Sequence, residues 1–395
     1  MIKEKINQAI EILKEENIDC WLTFVRESGT TPDPAMDTIV GTGVTWQSAF
    51  IITSKGESIA IVGSLDKANQ ETHGYYSNII GYVESIKDDL INVLNKINPN
   101  QIALNYSLNS STADGLSHGM FLQLMTYLKD TPFPDRLISS EPILNKLRGR
   151  KSDSEIEKVK HSIDITLNMF DQVGQFIAPG KSEKEVANFL KNLVENQGIG
   201  LAWDPDHCPA VFTGPETAGA HAGPTDRQVQ AGHVLNIDFG VKIDGYCSDL
   251  QRSWYILKDG EEDAPDEVKK GFQVIFDSIT TAAEAIKPGK TGLEIDTIAR
   301  NHIVSNGYDE YPHALGHQIG REAHDGGALL GPKWDRYGNL PDMPLEVNQL
   351  FTIEPRLTIE DYGIATIEEI IVITNDGCEF LSNRQTEIFL VGAGS

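Results

Sequence analysis

The stretch Val234-Leu-Asn-Ile-Asp238-Phe-Gly-Val-Lys-Ile243-Asp244-Gly245-Tyr246-Cys-Ser-Asp249-Leu-Gln251-Arg-Ser-Trp-Tyr-Ile256 decides how this 395-residue chain is read. Two runs rich in β-branched and aromatic residues flank Asp244-Gly245, a dipeptide suited to a two-residue hairpin turn. With that loop Ile243 faces Tyr246, so facing residue numbers sum to 489 and Asp238 faces Gln251. Asp249 lies two residues from Gln251 and emerges on the face of Asp238 as a diagonal neighbour. One hairpin therefore aims two carboxylates at one point. Two solvated aspartates on a polar strand face would be the plain alternative.

A second pair follows downstream. Phe351-Thr-Ile-Glu354 reads as a short strand ending at Pro355, and residues 364–373 as another strand after the turn at Asp361-Tyr362-Gly363. In that second strand Glu368 shares a face with Ile370 and Val372 by period two. A carboxylate on an apolar strand is costly to bury unless it is paired or bound to metal. Glu369 points the other way and is expected to be a salt-bridge or solvent-facing group.

The imidazoles lie between these pairs, in Pro312-His313-Ala-Leu-Gly-His317-Gln-Ile-Gly-Arg-Glu-Ala-His324-Asp325. The spacing of His313 and His317 suggests a zinc-protease helix, but that motif needs Glu directly after its first His, and Ala314 stands there. Gly316, Gly320, Gly326 and Gly327 predict a loop-rich segment instead. Asp238, Asp249, His317, Glu354 and Glu368 together offer four carboxylates and one imidazole. That is more anionic ligand than one divalent cation needs, and it suits two cations sharing a water. The set is oxygen-rich and free of thiolate, so Mn²⁺ is the expected ion, with Co²⁺, Fe²⁺ or Zn²⁺ as substitutes.

The order Asp, Asp, His, Glu, Glu, set in Asp-Phe-Gly, Gly-Tyr-x-Ser-Asp, Gly-His-x-Ile-Gly-x(3)-His and Thr-Ile-Glu-Pro, resembles the metallopeptidase family of methionine aminopeptidase, aminopeptidase P and prolidase. The motifs cover roughly residues 152–390, and the layout extends more weakly to the N-terminus. The resemblance implies a pita-bread α/β domain over residues 151–395, with the metals at the centre of a curved sheet. It also implies a creatinase/prolidase-like α/β domain over residues 1–150 that shapes the substrate opening and contributes to a homodimer. Asp238, Asp249, His317, Glu354 and Glu368 match the family's metal ligands. His221, His324 and His313 match its substrate-contacting histidines, whereas His207 and His233 have no counterpart and are expected to be surface or structural.

The implied activity is cleavage of an Xaa-Pro peptide bond, with Glu354 moving the proton from water to the leaving amine and His221 and His324 steadying the developing charge. Aminopeptidase P and prolidase remain alternatives. A dipeptidase needs a cation for the substrate's free carboxylate, and Arg336 is the candidate. The other readings are a non-catalytic peptide-binding scaffold on the same fold and a creatinase-like, metal-free hydrolase. Four positions depart from the family's wording without touching a ligand. Arg356 stands where Glu-Pro-Gly is common and Gln318 replaces the Gly after His317. Asp325 replaces the Glu after His324, and Gln251 replaces a threonine.

Composition fits this frame. A formal net charge of −25, from 33 basic and 58 acidic residues, argues against nucleic acid or anionic membranes as partners. Cys20, Cys208, Cys247 and Cys378 form no Cys-x-x-Cys, which predicts a reducing, cytoplasmic setting. The N-terminus opens on a mixed-charge amphipathic helix rather than a signal sequence, and no apolar run approaches the ~20 residues of a membrane span. In the first domain Ile2, Ile6, Ile10 and Leu13 mark a helix face, and residues 18–24, 49–53, 58–63 and 101–106 read as strands. Trp46 or Arg26, in a loop between strands, would reach the opening if either is more than a loop residue. Ser152-Asp-Ser-Glu155 is a capping box that opens a long helix, just after a boundary at 148–152. No short-period repeat is evident, although the implied fold requires two degenerate halves after residue 152.

Overall fold

The computed structural model describes residues 1–216 and 223–392, and the chain divides into two compact units, Met1–Arg148 and Gly149–Ser395. The first unit opens with a helix at Ile2–Glu15 whose buried face includes Ile6, Ala9, Ile12 and Leu13. Its sheet has six strands: β1 (Cys20–Val25), β2 (Ser48–Thr53), β3 (Ser58–Gly63), β4 (Asn78–Tyr82), β5 (Ile102–Leu104) and β6 (Leu137–Ser139), in the order β4-β3-β2-β1-β5-β6. The β1–β2 and β2–β3 pairs are antiparallel and the others parallel. Both faces are covered. Trp21 and Val25 of β1 enter one apolar cluster, while Cys20, Leu22 and Phe24 enter the other. This is why β1 is buried at every position and reads as a continuous apolar run. Sequence reading did not find β4 and β6, which are the partly exposed edge strands.

The second unit is built from two similar halves. Each opens with a long helix (Asp153–Phe176 and Asp266–Ala285) followed by a shorter one (Glu183–Gln197 and Gly292–Ser305). The connections are Ile177-Ala-Pro-Gly-Lys-Ser182 and Ile286-Lys-Pro-Gly-Lys-Thr291, a repeat 109 residues apart that the sequence reading passed over. In both, the glycine turns with positive φ (Gly180 +87°, Gly289 +86°), and the hydroxyl residue caps the next helix in a complete capping box with Glu185 or Glu294. The predicted box of Ser152 and Glu155 is also complete at the first helix.

The strands of this unit are β7 (Gly200–Leu201), β8 (Ala210–Thr213), β9 (Val234–Phe239), β10 (Val241–Ile243), β11 (Tyr246–Cys247), β12 (Leu250–Ile256), β13 (Gly316–His317), β14 (Leu329–Leu330), β15 (Leu350–Ile353), β16 (Arg356–Ile359), β17 (Gly363–Thr366), β18 (Glu369–Ile373), β19 (Cys378–Phe380) and β20 (Phe389–Val391). One sheet runs β20-β12-β9-β8 and another β15-β18-β19, with β11-β10-β7, β13-β14 and β16-β17 as smaller ladders.

The central hairpin keeps the predicted register throughout. Ile243 pairs with Tyr246, Gln251 with Asp238 and Leu250 with Phe239. It is nevertheless two pairs of strands, broken at Gly240 and at Ser248–Asp249. A Cβ at residue 240 would lie 2.0 Å from the Ser248 carbonyl oxygen, so only glycine admits this crossing. The run 364–373, expected as one strand, also divides. β17 pairs with β16 and β18 with β15, and Ile367 and Glu368 lie at the changeover.

Side chains stitch the halves together here. The Ser253 hydroxyl donates to the Thr366 carbonyl (2.6 Å), and the Thr366 N–H donates to Asn236 Oδ1 (3.2 Å). Among the described residues no helix is long and apolar enough to cross a membrane. Gly240→Ala is expected to lower stability by about 1–3 kcal/mol, the usual cost of forcing extra atoms into a packed site. Urea unfolding monitored by circular dichroism would measure it.

Candidate metal centre

Each of the five donors sits where a strand ends or changes partner. Asp238 lies near the end of β9 opposite Gln251. Asp249 sits in the break before β12, close enough to Asp238 for the two carboxylates to repel. His317 ends β13, its backbone N–H donating to Thr352 Oγ1 (3.2 Å). The preceding Gly316 lets β13 approach β15, because a Cβ there would lie 1.9 Å from the Thr352 carbonyl oxygen. Glu354 follows β15, its N–H held by the Leu315 carbonyl (2.7 Å), and Glu368 is anchored by its own N–H on the Gln251 carbonyl (3.2 Å).

The side chains converge. Among the described residues Asp249, His317 and Glu368 each offer a ligand atom within 4.8 Å of the others. His317 Nε2 lies 3.6 Å from Asp249 Oδ2 and 3.4 Å from Glu354 Oε1. Gln251 joins the glutamates, its Nε2 donating to Glu354 Oε2 (3.1 Å) and to Glu368 Oε2 (3.0 Å). Sequence reading placed Gln251 opposite Asp238 but gave it no part in the site. A long amide in place of a short hydroxyl was the available signal.

Burial first, and the neighbouring carboxylates second, raise the pKa values of Asp249 and Glu368 well above the carboxylate range, and Glu354 rises for the same reasons. Asp238 is pushed up to about 7 by burial. His317 is held well below its ordinary value, by burial and then by His324, whose ring meets it edge-on at 4.2 Å. Asp238 Oδ1 and Glu368 Oε1 are buried without a hydrogen-bond partner. Buried acceptors without a donor and buried like charges are both unfavourable. Divalent cations relieve both at once, so these residues fit the metals that the donor set implies.

The donors line a cavity of about 670 Å³ whose other walls include Trp203, Phe212, His313, His324, Tyr337 and Arg356. His207, expected at the surface or in a structural role, is exposed and lies on this lining. Arg336 is not on it. The Arg336 guanidinium donates to the Pro312 carbonyl (2.7 Å) and to the Tyr337 hydroxyl (3.1 Å), and packs on Trp334. His221 lies outside the described residues.

Behind the donors sits a second set of charges. Of the two expectations for Glu369, the salt bridge holds and solvent exposure does not: it pairs with Arg252 at 3.2 Å, both side chains being at most 2% exposed. Arg252 also donates to the backbone carbonyls of Gln251 and Glu368 (2.9 Å each) and of Asn383 (2.8 Å). Lys151 and Asp325 form a similarly buried pair at 2.9 Å. The Asp325 N–H donates to the Gln318 carbonyl (2.9 Å), closing the loop that carries His324.

A mixed α/β unit of two like halves, with Asp, Asp, His, Glu and Glu brought together where they meet, defines a pita-bread metallopeptidase. The profile of metallopeptidase family M24 matches residues 157–375, more than half of the chain, and the protein belongs to that family.

An X-Pro aminopeptidase from Thermotoga maritima is similar over its whole length, with 27% identity, a TM-score of 0.72, and coverage of 98% of this chain and 99% of that one. An Xaa-Pro dipeptidase from Bacillus anthracis, at 24% identity, shares the fold with a TM-score of 0.76 over 99% of this chain and 100% of the other. An uncharacterized peptidase of Staphylococcus saprophyticus is 28% identical across 96% of this chain and 99% of its own.

The Arg252–Glu369 pair generates a stability prediction. Glu369→Ala strands a buried guanidinium and is expected to cost about 3–5 kcal/mol, whereas Arg252→Met combined with Glu369→Leu recovers much of that loss. Denaturant midpoints of the three proteins would test this.

Proposed function

We propose that this protein is an Xaa-Pro peptidase that works with two divalent cations, best supplied as Mn²⁺. The single observation that carries the reading is the convergence of Asp238, Asp249, His317, Glu354 and Glu368 on one cavity, with buried oxygens of Asp238 and Glu368 left unpartnered. These five residues would hold the ions, which when bound polarise a carbonyl and make a water more acidic. A hard, oxygen-rich donor set with one imidazole favours manganese over softer ions.

The protein's own groups supply the rest. Glu354 Oε2 accepts from Gln251 (3.1 Å) and Oε1 from the Thr352 hydroxyl (3.5 Å), contacts that would hold the carboxylate in place to take a proton from water and return it to the leaving nitrogen. His324 and His313 lie on the same lining, where an imidazole N–H can donate to the oxyanion or the leaving amide. His221 is assigned the same kind of role on its sequence context alone. Trp203, Phe212 and Tyr337 give the cavity apolar wall that suits a pyrrolidine ring and excludes water from the cleaved bond. The proline preference is supported further by the Thermotoga maritima relative, which is itself an X-Pro aminopeptidase. The three buried cysteines are all free thiols, in keeping with a cytoplasmic setting.

Calorimetric titration of demetallated protein with Mn²⁺ should give two sites per chain, and Asp249→Asn should lose binding while remaining folded. Absence of binding by folded wild-type protein would sink the proposal. With metal loaded, Xaa-Pro peptides should be cleaved and their Xaa-Ala counterparts spared. Glu354→Gln should reduce turnover by at least ~10³-fold with an unchanged circular dichroism spectrum. Retained turnover would remove Glu354 as the proton carrier.

A further inference from the structure

Arg356 is the one lysine or arginine among the described residues that line the cavity, where five acids (Asp238, Asp249, Glu322, Glu354 and Glu368) also stand. It begins β16, two residues after Glu354, and pairs with Thr366 of β17, which lines the same cavity. The strand's alternation explains its direction. Leu357 and Ile359 are buried in the apolar core, where a Cβ added at Gly271 of the helix Asp266–Ala285 would strike them. Arg356 is only partly buried, and its side chain reaches the cavity lining.

A guanidinium on the same lining as five acids would be expected to pair with one, yet among the described residues none bonds to it. Its partial burial strips away some of its water without supplying a partner among the described residues. The donors' oxygens are instead turned toward one another and toward Gln251. Arg336, the cation expected from sequence to meet a substrate's anionic end, is engaged with Pro312 and Tyr337 outside the lining. A partly dehydrated guanidinium facing a cavity without a partner is completed by an anion that arrives with the ligand. Its planar fork of donors matches a carboxylate in two-point contact.

The geometry points to Arg356 as a specificity-determining residue that receives a carboxylate of the peptide substrate. That carboxylate is either the free C-terminus of a short peptide or an acidic side chain just beyond the cleaved bond. This rests on the peptidase reading above and narrows it to acidic or short substrates. Where the family's wording has glycine at this position, the contact would be missing, so this means of holding a carboxylate belongs to this chain rather than to the fold.

The test uses Mn²⁺-loaded full-length protein and ligands that cannot be cut: Gly-Pro analogues with a methylene in place of the scissile carbonyl. Three are compared by calorimetry, namely the free acid, its C-terminal amide, and the amide extended by an aspartyl residue blocked at its own C-terminus. Wild type should bind at least one carboxylate-bearing ligand about tenfold or more tighter than the neutral amide. Which of the two wins identifies the source of the carboxylate. Arg356→Gln and Arg356→Gly should bring that ligand down to the affinity of the amide while leaving the amide's own affinity and the melting temperature unchanged.

Equal binding of all three ligands by wild type overturns the proposal, as does a carboxylate preference that survives in folded Arg356→Gln. Failure of the peptidase reading would register separately, as no cleavage of the parent Xaa-Pro peptides, because binding here requires no turnover.

Discussion

Burying four carboxylates around one cavity is the constraint on which much of the second unit depends. Each has lost water, each repels the others, and burial drives their pKa values up. The surrounding framework is arranged to keep them from moving apart. The Gln251 amide spans Glu354 and Glu368. Directly behind, Arg252 fastens the backbone carbonyls of Gln251 and Glu368 and is itself neutralised by Glu369. Such outer partners orient ligands and tune what they bind. They also hold the geometry in advance, so the cost of assembling like charges falls on folding rather than on each catalytic cycle.

The fold distributes this burden between two halves of similar design. A long helix, a Pro-Gly-Lys turn and a capped shorter helix occur in each, and each half carries an apolar strand that ends in an acid: Leu235-Asn-Ile-Asp238 and Phe351-Thr-Ile-Glu354. At the junction the strands change partners, leaving backbone free of regular ladders where Asp249 and Glu368 must project. The breaks at Ser248–Asp249 and Ile367–Glu368 are thus the places where the sheets yield their regularity to the site. Strand irregularities next to active sites commonly re-aim side chains in this way.

Much of this was legible in the sequence because it is governed by local rules. Asp244-Gly245 set the hairpin register, and that register carried through to Gln251 and Asp238. The Ser152 capping box and the loop around His317 were equally readable, since both depend on residues only a few positions apart. What escaped was decided at a distance. Residues 364–373 look like one strand until β16 and β15 each claim half of it. Glu369 was readable as a salt-bridge group, but its burial and its partner, an arginine 117 positions away, were not. Arg336 and Arg356 are indistinguishable by composition, and only the packing of Leu357 and Ile359 against the core directs Arg356 into the cavity. The edge strands β4 and β6 lack strong patterns because edges are only half covered. The Pro-Gly-Lys repeat was visible all along, but its meaning required knowing that both copies join helices.

That repeat also bears on how the site is shared. Neither half owns a complete set of donors. The first contributes Asp238 and Asp249, and the second His317, Glu354 and Glu368. The likeness of the halves therefore ends at the donors, with the imidazole on one side only and the Gln251 amide of the first half devoted to two acids of the second. A centre divided in this way exists only while both halves are folded, so the cavity reports on the integrity of the whole unit rather than of either part.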